Sequence, residues 1–547
     1  MSKERLYLFD TTLRDGAQTQ GVDFSVEDKK LIAGLLDKLG LDYVEGGYPG
    51  ANPTDTDFFS NDPGLKHATF TAFGMTKKAG RSADNDPGLA AILDSSASAV
   101  CLVAKSWDFH VDVALGITND ENLETITDSV RAIIARGREA MIDCEHFFDG
   151  YKANPDYARA CVKAALAEGA RWAILCDTNG GTLPHEVEQI VTDLTKDFPG
   201  DRLGIHCHND TENAVANTLA AVRAGVRQIQ GTLNGLGERC GNANMVSLIP
   251  TLLLKPELAD QFEIGVTEEQ LKDLTHVSRT LDELLNRAPD RYAPYVGESA
   301  FASKAGIHVS AILKNPSTYE HVEPESVGNK RHISVSDQSG RSNVLAQFES
   351  VGIDVDSEDP RINRLLDQVK EREYLGYSYD GAEASFELLA RRMLGQVPEY
   401  FTVNSFRVLI ERRYNAVGEL VTVSEATAKV VVDGEQFISV GEGNGPINAL
   451  DEALRKDLGK YQSYIDEIRL VDFKVRILTG GTEAVTRVLI ESADADGNRW
   501  FTVGVSPNIV DASFQALTDS ITYKLLRDGA PAPLSSDSQA TLKQPGR

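Results

Sequence analysis

Residues 6–16 read Leu6-Tyr7-Leu8-Phe9-Asp10-Thr11-Thr12-Leu13-Arg14-Asp15-Gly16, and the segment that follows changes rhythm. The run 6–9 is short and mostly apolar, the signature of a buried strand. From Ser25 the apolar residues fall at helical spacing: Leu31, Ile32, Leu35, Leu36 and Leu39 make one stripe, and Ser25 with Asp28 supplies a capping box. A second β-rich run at 43–45 completes a strand–helix–strand unit. That order predicts parallel strands joined by a crossover helix.

The unit repeats along the chain. Further β-rich runs lie at 69–73, 100–103, 140–144, 172–176, 203–207 and 228–233, most of them separated by segments of helical period. About eight such units in ~250 residues is the size of a (β/α)8 TIM barrel. A doubly wound open sheet is the alternative, but no glycine-rich dinucleotide fingerprint follows the first strand. The reading is therefore an α/β barrel over 1–255. Residues 256–397 turn mostly helical, with Thr267 and Gln270 capping a segment that carries Leu271, Leu274 and Val277. From 398 to 528 the period becomes two. Phe437-Ile438-Ser439-Val440-Gly441 and Trp500-Phe501-Thr502-Val503-Gly504 each lead into a helix, which predicts an α+β domain of two β-β-α repeats. The tail 529–547, with Ala-Pro-Ala-Pro and Ser-Ser-Asp-Ser, is expected to be disordered.

Composition excludes several classes. The 547 residues are 41% hydrophobic and 25% charged, as in an ordinary globular protein. Lys+Arg 55 against Asp+Glu 82 leaves a net charge of −27, which opposes nucleic acid and anionic membranes. Six cysteines without a close CxxC pair argue for a reducing compartment. With no apolar leader and no run of ~20 apolar residues, the expectation is a cytoplasmic protein.

Chemistry concentrates at the ends of predicted strands. His206-Cys207-His208-Asn209-Asp210 ends the seventh, and at period two His206 and His208 share a face. Two imidazoles on one face can hold a divalent cation; alternatively they are polar residues ending a strand. Asp15, after the first strand, would complete an Asp/His/His set, because strands one and seven flank strand eight in a closed barrel. Arg14 beside it can donate to an oxygen on which charge develops, or simply pair with Asp15. After strand eight, Gly235, Gly237 and Gly241 permit close backbone approach and Asn242 offers a neutral oxygen. Glu145 and Asp177 also end strands at the mouth. Glu145 is a candidate base or base-orienting group, with a solvated loop carboxylate as the alternative. The run Gly441-Glu442-Gly443-Asn444-Gly445-Pro446 lacks the Lys-Ser/Thr of a phosphate loop and reads as turn chemistry.

Taken together, 10–16, 206–210, 235–242 and Ala305-Gly306-Ile307-His308 resemble the acetyl-CoA-dependent 2-oxoacid condensing enzymes, the family of isopropylmalate, homocitrate and citramalate synthases. The resemblance covers nearly the whole chain except the tail. Glu45-Gly46-Gly47-Tyr48-Pro49-Gly50, the run 370–377 and the run 381–386 are similar to the citramalate-forming branch, whose oxoacid is pyruvate; the isopropylmalate-forming branch, with 2-oxoisovalerate, is the runner-up. The resemblance implies a divalent ion (Zn, Mn or Mg) on Asp15, His206 and His208 with Asn242 nearby. It implies that Arg14 and Thr178 hold the oxoacid, and that Glu145 and His308 remove a proton from acetyl-CoA. Tyr319 is implied as a helper in thioester hydrolysis. The C-terminal repeat is similar to the family's dimeric domain that binds the end-product amino acid, which implies a homodimer and isoleucine as feedback ligand. Two other classes are weighed against this. Hydroxymethylglutaryl-CoA lyase-like enzymes share barrel and metal set but carry Pro after the cysteine where Cys240-Gly241 stands. A non-catalytic amino-acid-binding regulator would need a broken metal set, and this one is intact.

Overall fold

Eight short strands pair in parallel and close on themselves: β1 (Tyr7–Asp10), β2 (Tyr43–Glu45), β3 (Thr69–Met75), β4 (Ala99–Lys105), β5 (Glu139–Glu145), β6 (Trp172–Asp177), β7 (Leu203–Cys207) and β8 (Gln228–Gly231). This computed structural model describes residues 3–333, 341–356, 358–379, 381–414, 416–478 and 484–533. All eight strands lie where the sequence predicts them, and β8 pairs with both β1 and β7 to close the barrel. β8 is shorter than expected. It stops at Gly231 because Leu233–Gly235 folds as a 3-10 turn, with Asn234 in the left-handed region at φ 55°.

The first helix, Val26–Leu39, shows why the local sequence folds as it does. Ser25 and Asp28 form the reciprocal capping box, and Gly40 ends the helix at φ 96°. Ile32, Leu36 and Leu39 are buried, but Leu31 is 48% exposed and does not belong to the stripe. At 100° per residue it lies just past the edge of the core-facing arc.

Phe9, Tyr43, Ala99, Cys101, Met141, Trp172, Ile174 and Cys176 form the core inside the barrel. They are alternate residues of their strands, so the interior is a packed plug rather than a pore. Continuing each alternation toward the C-terminal rim reaches Thr11, Glu45, Lys105, Asp143, Glu145 and Thr178; from β7 and β8 the same layer receives His206 and Gln230. Polarity therefore rises along the barrel axis toward one mouth.

The chain forms two compact units, Met1–Phe301 with Glu320–His332, and Ala302–Tyr319 with the residues from Ile333 onward. In the first, the barrel is followed by Glu268–Leu271 and Leu274–Leu284. Thr267 and Gln270 make the expected capping box, and Leu271, Leu274 and Val277 are buried.

The second unit carries helices Gly306–Lys314, Arg341–Ser350, Pro360–Tyr374 and Glu383–Met393 ahead of the repeat. The repeat is present, with one strand more per copy than predicted. β9 (Thr402–Tyr414), β10 (Leu420–Val432) and β11 (Glu435–Gly443) lead to helix Pro446–Arg455. β12 (Arg469–Ile477), β13 (Thr486–Ala493) and β14 (Arg499–Ser506) lead to helix Ile509–Arg527. Each copy is thus β-β-β-α and antiparallel. The unforeseen strands, β9 and β12, are edges. Arg407, Glu411, Arg412 and Arg413 in one, and Asp472, Lys474 and Arg476 in the other, break the period-two pattern and are what edge strands commonly carry. Gly441 and Gly504 occupy equivalent places: a Cβ would meet the carbonyl of Ala449 at 2.5 Å in the first copy and of Ala512 at 2.0 Å in the second. Gly441 and Gly443 thus belong to the end of β11, where they let the helix press onto the sheet, and only 444–445 form the turn expected of the whole run. Only 529–533 of the tail belong to the described residues; the remainder of that expectation lies outside them. No helix of the described residues is long and apolar enough to cross a membrane.

Candidate active site

The loop after β1 folds back on itself: the N–H groups of Arg14, Asp15 and Gly16 all donate to the Thr11 carbonyl. Asp10 anchors the loop by accepting from Thr12 N and Thr12 Oγ1, both at 2.8 Å, and complete burial pushes its carboxyl up to about 7. This geometry turns the Asp15 carboxylate toward β7. Asp15 Oδ2 lies 3.4 Å from His206 Nε2 and 3.9 Å from His208 Nε2, and the two imidazole nitrogens are 3.4 Å apart. Ligands ~2.1 Å from a common tetrahedral ion stand ~3.4 Å from each other, so the spacing suits a divalent metal. All three side chains are buried, and they are the one such group among the described residues.

The tautomer follows from the neighbours. Gln230 donates its amide to Asp143 at 3.3 Å, which turns its carbonyl toward His206 Nδ1 at 2.8 Å. His206 Nδ1 therefore carries the proton, and Nε2 keeps its lone pair for an ion. Burial opposes charge on His206, yet Asp15 wins and raises it; burial beside His206 drives His208 down to about 4. Asp15 is held far below the usual carboxylate range despite its burial, chiefly by Arg14. Asp15 Oδ1 and Asn242 Oδ1 are buried acceptors without partners among the described residues. Buried polar atoms left unpaired in a native site call for an occupant, and acceptor oxygens call for a cation.

Asn242 reaches this place because the loop ahead of it is glycine. Gly237, at φ 153°, passes so close that a Cβ would come within 2.1 Å of Asn242 Nδ2, and a Cβ on Gly241 would meet the Gly235 carbonyl at 1.9 Å.

Arg14 is fixed on three sides. Its Nη1 donates to Asp15 at 2.9 Å and its Nε to Glu45 at 2.7 Å, while Asp143 lies 3.9 Å away. The guanidinium stacks over Phe73 at 4.0 Å, and Tyr48 meets Phe73 edge-on at 5.9 Å. The run 46–48 thereby forms a wall beside Arg14, and its glycines are obligatory. Phe70 would lie 2.6 Å from a Cβ on Gly46, and Asp55 2.6 Å from one on Gly47.

Glu145 ends β5 and is ion-paired with Lys105. Thr178 Oγ1 accepts from His146 N at 2.8 Å, so its own proton is free to be donated. Asp177, by contrast, faces away from the site. It accepts from Thr182 at 2.7 Å and from Asn217 at 3.3 Å, and serves to shape its loop. His308 and Tyr319 belong to the second unit, where both are exposed and their rings are 4.3 Å apart. The first unit thus gathers Arg14, Asp15, Glu145, Thr178, His206, His208 and Asn242 at one mouth.

Sequence reasoning missed Glu45, Asp143, Gln230 and Lys105. Burial raises the carboxyls of Glu45 and Asp143, and the Arg14 cation lies between them. A usable signal existed. Asp143 and Gln230 are polar residues at inward positions of β5 and β8, and Glu45 and Lys105 end strands as the barrel rule asks of functional groups.

Comparison with known proteins agrees with this architecture. Residues 5–280 match the HMGL-like family model, 295–374 the homocitrate synthase post-HMGL domain-like model, and 380–525 the LeuA allosteric (dimerisation) domain. An (R)-citramalate synthase of Aquifex aeolicus is 48% identical over 96% of this chain and 98% of its own length. One of Geobacter sulfurreducens is 50% identical over 95% of this chain and 97% of its own. A 2-isopropylmalate synthase of Dictyoglomus turgidum is 28% identical over 96% of this chain and 99% of its own.

Proposed function

The chain belongs to the (R)-citramalate synthase family of HMGL-like enzymes, and from that premise we propose how its residues join acetyl-CoA to pyruvate. The products are (R)-citramalate and CoA. The barrel (1–255) carries the chemistry, the segment 256–397 contributes the remaining catalytic groups, and the repeat (398–528) serves association and control. The observation that carries the reading is the convergence of Asp15, from the loop after β1, with His206 and His208, at the end of β7, beside an immobilised Arg14.

Asp15, His206 and His208 would hold a divalent zinc, manganese or magnesium ion, with the Asn242 carbonyl oxygen nearby. Bound there, the ion supplies Lewis acidity to the keto group of the oxoacid. Arg14 donates to the keto oxygen, on which negative charge grows as the new carbon–carbon bond forms. Thr178 donates its free hydroxyl proton to the oxoacid carboxylate. Glu145, assisted by His308, takes a proton from the acetyl methyl group. The electron pair of that C–H bond passes into the enolate, whose carbon attacks the keto carbon. Water then breaks the thioester C–S bond with Tyr319 as helper, and release of CoA draws the condensation forward.

The wall of Tyr48 and Phe73 beside Arg14 supports pyruvate as the oxoacid, because its Tyr48 belongs to the run that resembles the citramalate-forming branch. One or two extra methyl groups in a pocket are worth only ~1–3 kcal/mol each, so some turnover of larger oxoacids is expected. Acetyl-CoA, a thiol reagent and a panel of oxoacids make the test: kcat/KM is expected to be highest with pyruvate, and a higher value with 2-oxoisovalerate overturns the assignment.

Each three-stranded sheet of the repeat has a helix on one face and exposed Ile438 and Val440, or Val475 and Ile477, elsewhere. Pairing with a second copy would cover them, which supports a homodimer. Isoleucine is the proposed feedback ligand of that domain. Titration of isoleucine against the full chain is expected to slow turnover, and an unchanged rate at millimolar ligand overturns the sensing role.

A further inference from the structure

Two neighbouring strand ends at the barrel mouth carry opposite charges. Lys105 closes β4, Glu145 closes β5, and the parallel register sets them side by side. Alternate residues back from each lead to Cys101 and Met141 in the barrel interior, so both side chains lean over the axis rather than toward the outer helices. The Lys105 ammonium is paired with Glu145 Oε2, while Glu145 Oε1 takes no hydrogen bond among the described residues.

The mounting of this pair is rigid. Asn122, itself buried, donates Nδ2 to the Lys105 carbonyl at 2.8 Å. Ser106 donates both its N–H, at 3.2 Å, and its Oγ, at 2.7 Å, to the Glu145 carbonyl. Gly150 seals the arrangement from the following helix: a Cβ there would come within 2.4 Å of the Ser106 carbonyl. The pair on the outer helix between Glu27 and Lys30 shows the contrast, with side chains 82% and 51% exposed and no such backbone clamp. An ion pair between two clamped strand ends restricts a carboxylate far more than one between two free side chains.

We infer that Lys105 is the positioning residue of the condensation: it anchors Glu145 Oε2 so that Oε1 faces the acetyl methyl group. The inference rests on the reading of Glu145 as the base. Lys105 itself touches no substrate in this role. Its contribution is to remove the rotational freedom of the carboxylate before the proton is transferred.

The test uses the full-length, metal-loaded enzyme with ordinary and methyl-deuterated acetyl-CoA, and the variants Lys105→Gln, Lys105→Arg, Glu145→Gln and the double glutamine variant. A misaimed base costs about 10²-fold in rate, and Lys105→Gln is expected to lose that much kcat. Its KM for pyruvate should hold within about twofold, since uniform binding is untouched. The deuterium isotope effect on kcat should rise, because proton transfer becomes the slower step. Lys105→Arg should fall between wild type and Lys105→Gln in both measures, and adding Lys105→Gln to Glu145→Gln should cost nothing further. Metal content and melting temperature of each variant report folding, with Lys105→Met used where the glutamine variant does not fold. If Lys105→Gln keeps its kcat while Glu145→Gln is inactive, the positioning role is overturned and the base reading survives. Losses that multiply in the double variant, or an unchanged isotope effect, also overturn it. An active Glu145→Gln removes the base reading itself.

Discussion

Strands of the barrel are covered on both faces, by the plug within and by helices without, and the residues that stand out there are polar: Glu45, Asp143, His206 and Gln230, all buried. The first sheet of the repeat is covered by its helix on one face, and the second is covered on its other face only in part, where Val503 packs against Glu383–Met393. The residues that stand out on these sheets are apolar, Ile438 at 61% and Ile477 at 67% exposure among them. Each group is costly in its own setting. A buried carboxylate gives up hydration, and an exposed aliphatic side chain gives up burial worth ~1.5–3 kcal/mol. In the barrel, on the proposed reading, the complement would be small and charged, a cation and an oxoacid. In the repeat, on the proposed reading, it would be large and apolar, a second protein surface.

The comparison breaks first at the metal ligands. Asp15→Ala or His206→Ala is expected to lower turnover by about 10³-fold or more, since both the Lewis acid and its alignment are lost. Melting of the metal-free protein should fall for Asp15→Ala, which takes a buried ion-pair partner from Arg14, and change less for His206→Ala. Chelation followed by metal re-addition checks it, and near wild-type activity in either variant dissolves the site. Gln230→Leu asks whether the buried polar layer is tuned for that ion. Losing the acceptor that fixes the His206 tautomer should weaken metal affinity by about 10- to 100-fold in a chelator competition. An unchanged affinity would mean that the layer serves stability alone.

The other side of the contrast is tested on the open sheet. Ile438→Lys should weaken self-association by about tenfold or somewhat more, read by sedimentation equilibrium, if that face is part of the subunit contact. Metal affinity should not move. The smallest effect sharpens the reference level: Ser25→Ala removes a cap far from both features and should cost ~1 kcal/mol in calorimetry, with neither metal affinity nor association altered.

Much of this contrast was legible in the sequence, and its gaps have physical causes. The eight barrel strands were visible because buried parallel strands are apolar runs set between helices of a different period. The grouping of His206 with His208 was visible because two residues two apart along an extended run share a face. Asp143 and Gln230 were overlooked because the meaning of a polar residue within a strand depends on which residues across the barrel it meets. Lys105 and Glu145 acquire theirs only through the register of β4 and β5. β9 and β12 were missed because charged edge strands do not alternate. Leu31 was assigned to the core because a stripe drawn on one helix does not show where the neighbouring surface ends.

β8 has a consequence in time as well as in space. It alone pairs with both β1 and β7, and the proposed metal set takes one ligand from beside β1 and two from the end of β7, about 190 residues later. A nascent chain that has not yet made residue 231 holds these ligands at opposite margins of an open sheet. The full grip on the ion therefore forms only when the last strand zips the barrel shut. An ion that binds the shut form alone, at a concentration a hundred times its dissociation constant, favours that form by ~2.7 kcal/mol. On the proposed reading, a bound metal would act as a clasp as well as a reagent.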